Sequence, residues 1–140
     1  GTAYTGAINI VSTYPNLFSF NSDGLAVAVL LRVRDGRQTY ENIFQFENNA
    51  LVAAPIDFGP PNDLLFLVLF GTGLGKNSVT ATAKIGGLDL PVAYAGAQGS
   101  FPGLDQFNIA LPRTLAGKGK VELTVTANGK VSNAASLTFK

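Results

Sequence analysis

KVELTVTANGKVSNAASLTFK, residues 120–140, carries the clearest two-residue period in the chain. Val121, Leu123 and Val125 alternate with Glu122, Thr124 and Thr126, which places apolar side chains on one face of a strand and polar ones on the other. Asn128-Gly129 follows, and this pair tolerates the positive φ angles of a two-residue hairpin turn before a second run leads to Lys140. The stretch reads as an antiparallel hairpin with one buried and one wet face.

The same pattern recurs upstream. Gly86-Gly87 separates SVTATAKI (78–85), with Val79, Ala81, Ala83 and Ile85 on one face, from LDLPVAY (88–94). Asp35-Gly36 separates GLAVAVLLRVR (24–34) from RQTYENIFQF (37–46) and gives another hairpin. Between the hairpins lie LLFLVLF (64–70), apolar enough to be buried on both faces, and DQFNIAL (105–111), which stops at Pro112. Both read as central strands. No window keeps apolar residues at i, i+3, i+4 and i+7, and RTLAGKG (113–119) offers a single helical turn before its glycines. The expectation is an all-β sandwich of Greek-key type with seven to ten short strands and almost no helix. Residues 1–20 read as an N-terminal strand and linker, and residues 21–140 as the sandwich.

Composition narrows the function. The 140 residues suffice for one domain with a real core; 46% are hydrophobic and only 14% charged, so the surface is polar more than ionic. Ten Lys and Arg balance nine Asp and Glu to a net +1, which gives no field to hold nucleic acid. Cys, His, Met and Trp are absent, and with them most soft-metal sites and nucleophile–base pairs. A chain that starts at Gly1 is expected to be a processed product, and no apolar run reaches the roughly 18 residues of a membrane helix.

LFGTGLGKNS (69–78) looks at first like a phosphate cradle. It is one residue short of a P-loop, Asn77 stands where Ser or Thr is needed, and a strand follows where a helix N-terminus would have to be. Gly71 and Gly73 are expected instead at a corner between strands. The acidic residues are scattered singly, which predicts no calcium loop and no paired carboxylates for acid–base work. Arg32, Arg34 and Arg37 read as a solvated hairpin tip. Phe101, in the Gly-rich loop 96–104, is expected to tuck into the core edge, with a ligand platform as the sharper alternative. No catalytic residue, cofactor or metal site is predicted.

LVLFGTGL (67–74), IGGLDLPVAYAGAQGSFPGLDQFNIALP (85–112) and TVTANGKVSNAASLTF (124–139) together resemble the Solibacter-type uncharacterised C-terminal domain, an Ig-like module related to the IPT/TIG sandwiches of exported bacterial proteins. The resemblance extends through residues 24–46 and PIDFGP (55–60) and so covers most of the chain. It implies an Ig-like, non-catalytic module, extracellular or at the cell surface, and supplies no functional residues.

TGAINIVS (5–12) departs from that pattern, because it has strand character and nothing before it to pair with. An orphan strand leaves backbone groups unpaired and must be covered. The leading expectation is therefore a self-assembling structural subunit of an extracellular filament, with Ala7, Ile8, Ile10 and Val11 donated head to tail to another copy as a β-strand. The alternative is a glycan- or protein-binding accessory module that uses loop 96–104 and Tyr94. Nucleic acid and membrane insertion are not expected.

Overall fold

In this computed structural model residues 14–75 and 77–140 are described, and almost all regular structure is strand. Thirteen segments follow in order: β1 Asn16–Leu17, β2 Ala28–Arg34, β3 Arg37–Asn42, β4 Phe44–Glu47, β5 Ala50–Ala53, β6 Leu64–Thr72, β7 Ala81–Ile85, β8 Leu88–Pro91, β9 Tyr94–Ala97, β10 Asp105–Leu111, β11 Gly119–Ala127, β12 Lys130–Val131 and β13 Ala135–Phe139. The count exceeds ten because several segments are only two to four residues long. The single expected helical turn is a 3-10 turn at Arg113–Leu115.

Two antiparallel sheets form the sandwich. The first has the order β3-β2-β6-β10-β9, with β1 continuing beside the far end of β6; the second has the order β12-β11-β7-β8, with β13 beside β11. Leu30, Leu67, Leu69, Phe107 and Ile109 from the first sheet meet Ile85, Leu123, Val125 and Leu137 from the second, all buried. Each such side chain contributes about 1.5–3 kcal/mol by leaving water. Asp35 and Gly36 have φ values of 52° and 77°, the left-handed pair that a two-residue turn between β2 and β3 requires. The Gly86-Gly87 and Asn128-Gly129 turns join β7 to β8 and β11 to β12.

Two local departures matter. The run 37–46 is not one strand: Ile43 leaves the β3 line and is buried in the core, so β4 starts a separate hairpin with β5 across Asn48-Asn49. Residues 14–20, grouped with the N-terminal strand and linker on sequence grounds, lie along the sandwich itself. Asn16 and Leu17 pair with Thr72 and Gly71, and the Tyr14 N–H donates to the Gly73 carbonyl at 2.7 Å.

Candidate functional site

The strand alternation of the first sheet gives it two apolar faces. In β2, Ala28 and Leu30 point into the core, and Val29, Leu31 and Val33 point out. In β6, Leu65, Leu67 and Leu69 are buried inward, and Leu64, Phe66, Val68 and Phe70 lie on the outer side. The expectation that 64–70 is buried on both faces therefore holds for the inner side; among the described residues no second layer covers the outer one, where Leu64 is 57% exposed. Val68 is nonetheless buried, shielded by its larger neighbours. The outer residues form an open trough of about 590 Å³. Gln38 and Tyr40 of β3 rim one side, and Gln106 and Asn108 of β10, whose amides bond each other at 2.9 Å, rim the other. Not one of the lining side chains is charged. Apolar surface of this extent and continuity marks an interaction face more often than idle surface.

One margin of this face is a strand edge with no partner among the described residues. β3 bonds β2 on one side and stands at the end of the sheet order. The two-residue turn makes Arg34 and Arg37 a hydrogen-bonded pair, and the alternation then makes Arg32–Thr39 and Leu30–Glu41 bonded pairs as well. The backbone N–H and C=O groups of Gln38, Tyr40 and Asn42 consequently point away from β2, where no described strand lies. The other margins are better closed. Val79 bonds to Ala95 of β9, residues 24–26 and 56 pair with β13, and Pro91 ends β8.

The glycines of LFGTGLG have a defined task at the far end of β6. A Cβ on Gly71 would overlap the Asn16 carbonyl oxygen, and one on Gly73, whose φ is +98°, would overlap that of Tyr14. They seat the incoming chain by close backbone approach. Asn133 clamps the same segment from the second sheet, accepting from the Leu17 N–H at 2.7 Å and donating to its carbonyl at 3.0 Å. The corner reading of this loop thus acquires a specific cause, the docking of residues 14–17.

At the opposite end of β6 the charges converge. Arg32 is 8% exposed, which corrects the solvated-tip reading for this residue. It donates to Glu41 at 2.7 Å, to Asp63 at 2.9 Å and to the carbonyls of Asp57 and Phe58. Arg34 donates to both oxygens of Asp63, the shortest contact being 2.6 Å. The hydrogen bonds from Arg34 first, and from Arg32 against the cost of desolvation, hold the Asp63 carboxyl down at about 2. Arg113 adds bonds to the carbonyls of Phe58, Gly59, Pro60 and Asp63 and lies over the Phe58 ring. The loop 54–63 is stitched to the sandwich by these groups. A second carboxylate, Asp105, is also buried and accepts from the Leu74 N–H at 2.9 Å. Solvation at turns and strand ends therefore does not explain Asp63 and Asp105. The signal for the first was present: Arg32 and Arg34 continue the inner face of β2, where a buried cation demands a buried anion.

Phe101 corrects another expectation, for it stands 67% exposed. Pro102-Gly103 forms a turn closed by the Leu104 N–H on the Phe101 carbonyl, with Gly103 at φ 79°, and this geometry turns the ring away from the core. The cleft beside it measures about 740 Å³. Its polar groups are largely engaged within the chain: the Thr72 hydroxyl donates to the Gly103 carbonyl, and Asp105 holds Leu74. The Tyr94 hydroxyl is likewise occupied by the Ala97 carbonyl at 2.6 Å. Among the described residues no three acidic side chains gather into a metal-sized group, and no helix is long and apolar enough to cross a membrane.

Ala7, Ile8, Ile10 and Val11 lie outside the described residues. Lys76 of the glycine loop does too. No family model, curated protein or solved structure matches the chain, so the family resemblance stands on the quoted residues alone.

Proposed function

We propose that this protein is a non-catalytic structural module of the cell exterior, extracellular or surface-bound, whose copies join head to tail by β-strand addition of the N-terminal segment. The observation that carries the reading is the uncharged, apolar outer face of the first sheet, left uncovered by the described residues beside a strand edge that has no partner among them. Such a face costs free energy while it is wet; a strand from another copy would pair the edge, and the body of that copy, held beside it, would be placed to cover the face. Head-to-tail donation is heterologous and need not close, so filaments follow from it. The Solibacter-type resemblance adds the exported setting and an Ig-like, Greek-key lineage. Deleting residues 1–12 and imaging by negative-stain electron microscopy tests the reading. Filaments of the full chain should vanish in the deletion, whereas undiminished filaments would refute it.

A second reading is favoured by the exposed Phe101 ring: an accessory module that binds glycans or another protein through loop 96–104. Aromatic rings beside an open cleft suit the apolar face of a sugar. A glycan array compared between the full chain and Phe101→Ala separates this reading from the first, since only here should binding be present and then lost.

A further inference from the structure

We infer that the acceptor for the donated segment is the edge of β3, which has no partner among the described residues and borders the uncharged trough, and that residues 7–11 of a second copy pair with that edge. This rests on the strand-donation reading above and adds to it the surface that receives the strand.

Chemistry of both parties supports the match. Residues 1–13 contain no Asp, Glu, Lys or Arg, and neither does the trough lining. The outer side of the contact therefore brings no charge out of water, and Arg37 and Glu41 of β3 lie on the opposite face; the β2–β3 tip and the loop 54–63 would each present a charge. Ile8 and Ile10 are two residues apart, as are Gln38 and Tyr40, so a strand laid on the edge can place both isoleucines on the outer face beside Tyr40. The apolar face would then extend by one strand and the Gln38, Tyr40 and Asn42 backbone groups would gain partners.

Direction argues for a second copy. β1 runs antiparallel to β6, so Tyr14, the first described residue, lies beside Gly73 at the end of β6 beyond the trough. Pro15 holds Tyr14 in an extended conformation, and Ile10, Val11, Ser12 and Thr13 include no Gly, Pro, Asn or Asp to reverse the path. Only Ser12 and Thr13 separate Val11 from Tyr14, roughly 10 Å at ~3.3 Å per residue, so the accepting edge of the second copy has to lie close against the Gly73 end of the first.

The chain has no cysteine, which makes disulfide trapping clean. Full-length Ile10→Cys is mixed with a full-length, size-tagged Gln38→Cys, Tyr40→Cys or Asn42→Cys variant under mild oxidation. The expected product is a mixed disulfide dimer with at least one of the three, and a ladder of higher multimers when both cysteines are on one chain. Tyr40→Pro, which removes an outward N–H without touching the β2 ladder, should leave the circular dichroism unchanged and weaken assembly about tenfold. An intramolecular disulfide with no gain in mass would overturn the proposal by placing the strand on its own domain. Filaments that persist in Tyr40→Pro, with no mixed disulfide, would place the acceptor elsewhere and leave strand donation standing. A full chain that stays monomeric would remove both.

Discussion

Beyond Leu30, β2 carries opposite chemistry on its two faces, and the usual sides are exchanged. On the inner side, Arg32 is held by Glu41 and Asp63 beneath the loop 54–63, and the half-exposed Arg34 by Asp63; on the outer side, no second layer among the described residues covers Val29, Leu31 and Val33. Among the described residues the charged side is complete and the apolar side is left open. Partners for the guanidinium groups lie only 9 to 31 residues away in sequence, and the network leaves no described buried side-chain polar atom unsatisfied. A buried charge must be satisfied within the fold, because an unpaired one costs several kcal/mol in any state the monomer visits. Exposed hydrocarbon carries a smaller penalty per residue, and a monomer can tolerate it until another molecule covers it.

Neighbours on β6 test that contrast most sharply. Leu67, inward and fully buried, should cost about 2–5 kcal/mol on replacement by alanine. Phe66, one residue earlier on the outer face, should change monomer stability by less than ~1 kcal/mol on replacement by serine while removing assembly. Urea unfolding and light scattering on the two variants measure both effects, and equal destabilisation would mean that the outer face is covered within the monomer.

The charged side should break with acid. Asp63 has its carboxyl held at about 2, below the ordinary value of 3.8, so its pairing stabilises the fold fully above about pH 5. That contribution should drain away as pH falls through 4 toward 2, because the unfolded chain takes up the proton first. An Asp63→Asn variant should show a flatter thermal midpoint over the same window, and a profile as steep as the parent's would assign the acid sensitivity elsewhere.

Gly73→Ala attacks the seat of the N-terminal segment. The new Cβ would meet the Tyr14 carbonyl at a positive φ, with an expected cost of about 1–3 kcal/mol and faster amide exchange at Tyr14 and Leu17. Unchanged exchange there would show that β1 is held by Asn133 alone. The smallest effect is expected at Phe101, where alanine should alter stability by less than about 0.5 kcal/mol and leave assembly intact.

Much of the fold is legible in the sequence because it is written locally. Asp35-Gly36, Gly86-Gly87 and Asn128-Gly129 each announce a hairpin through a backbone conformation that few other residues adopt, and the inward alternation of Leu123 and Val125 is what the sheet requires. The Asn48-Asn49 hairpin is harder to read because Phe44 and Phe46 continue the apolar run across the break at Ile43. The candidate site is less legible still. LLFLVLF reads the same whether its outer side faces a second layer of its own chain or another molecule. Arg32 meets Asp63 across 31 positions, and Leu74 meets Asp105 across another 31, distances over which no local pattern operates. Phe101 is turned outward by Pro102-Gly103, which the turn chemistry foreshadows and hydrophobicity alone does not.

The central claim is that the outer face of the first sheet is finished by another copy. Sedimentation velocity of the full chain over a concentration series at pH 7, beside a chain lacking residues 1–12, tests it most directly. The account predicts open-ended, concentration-dependent polymers for the first and a monomer for the second. A full chain that sediments as a monomer throughout, with Phe66→Ser indistinguishable from it, would contradict the account.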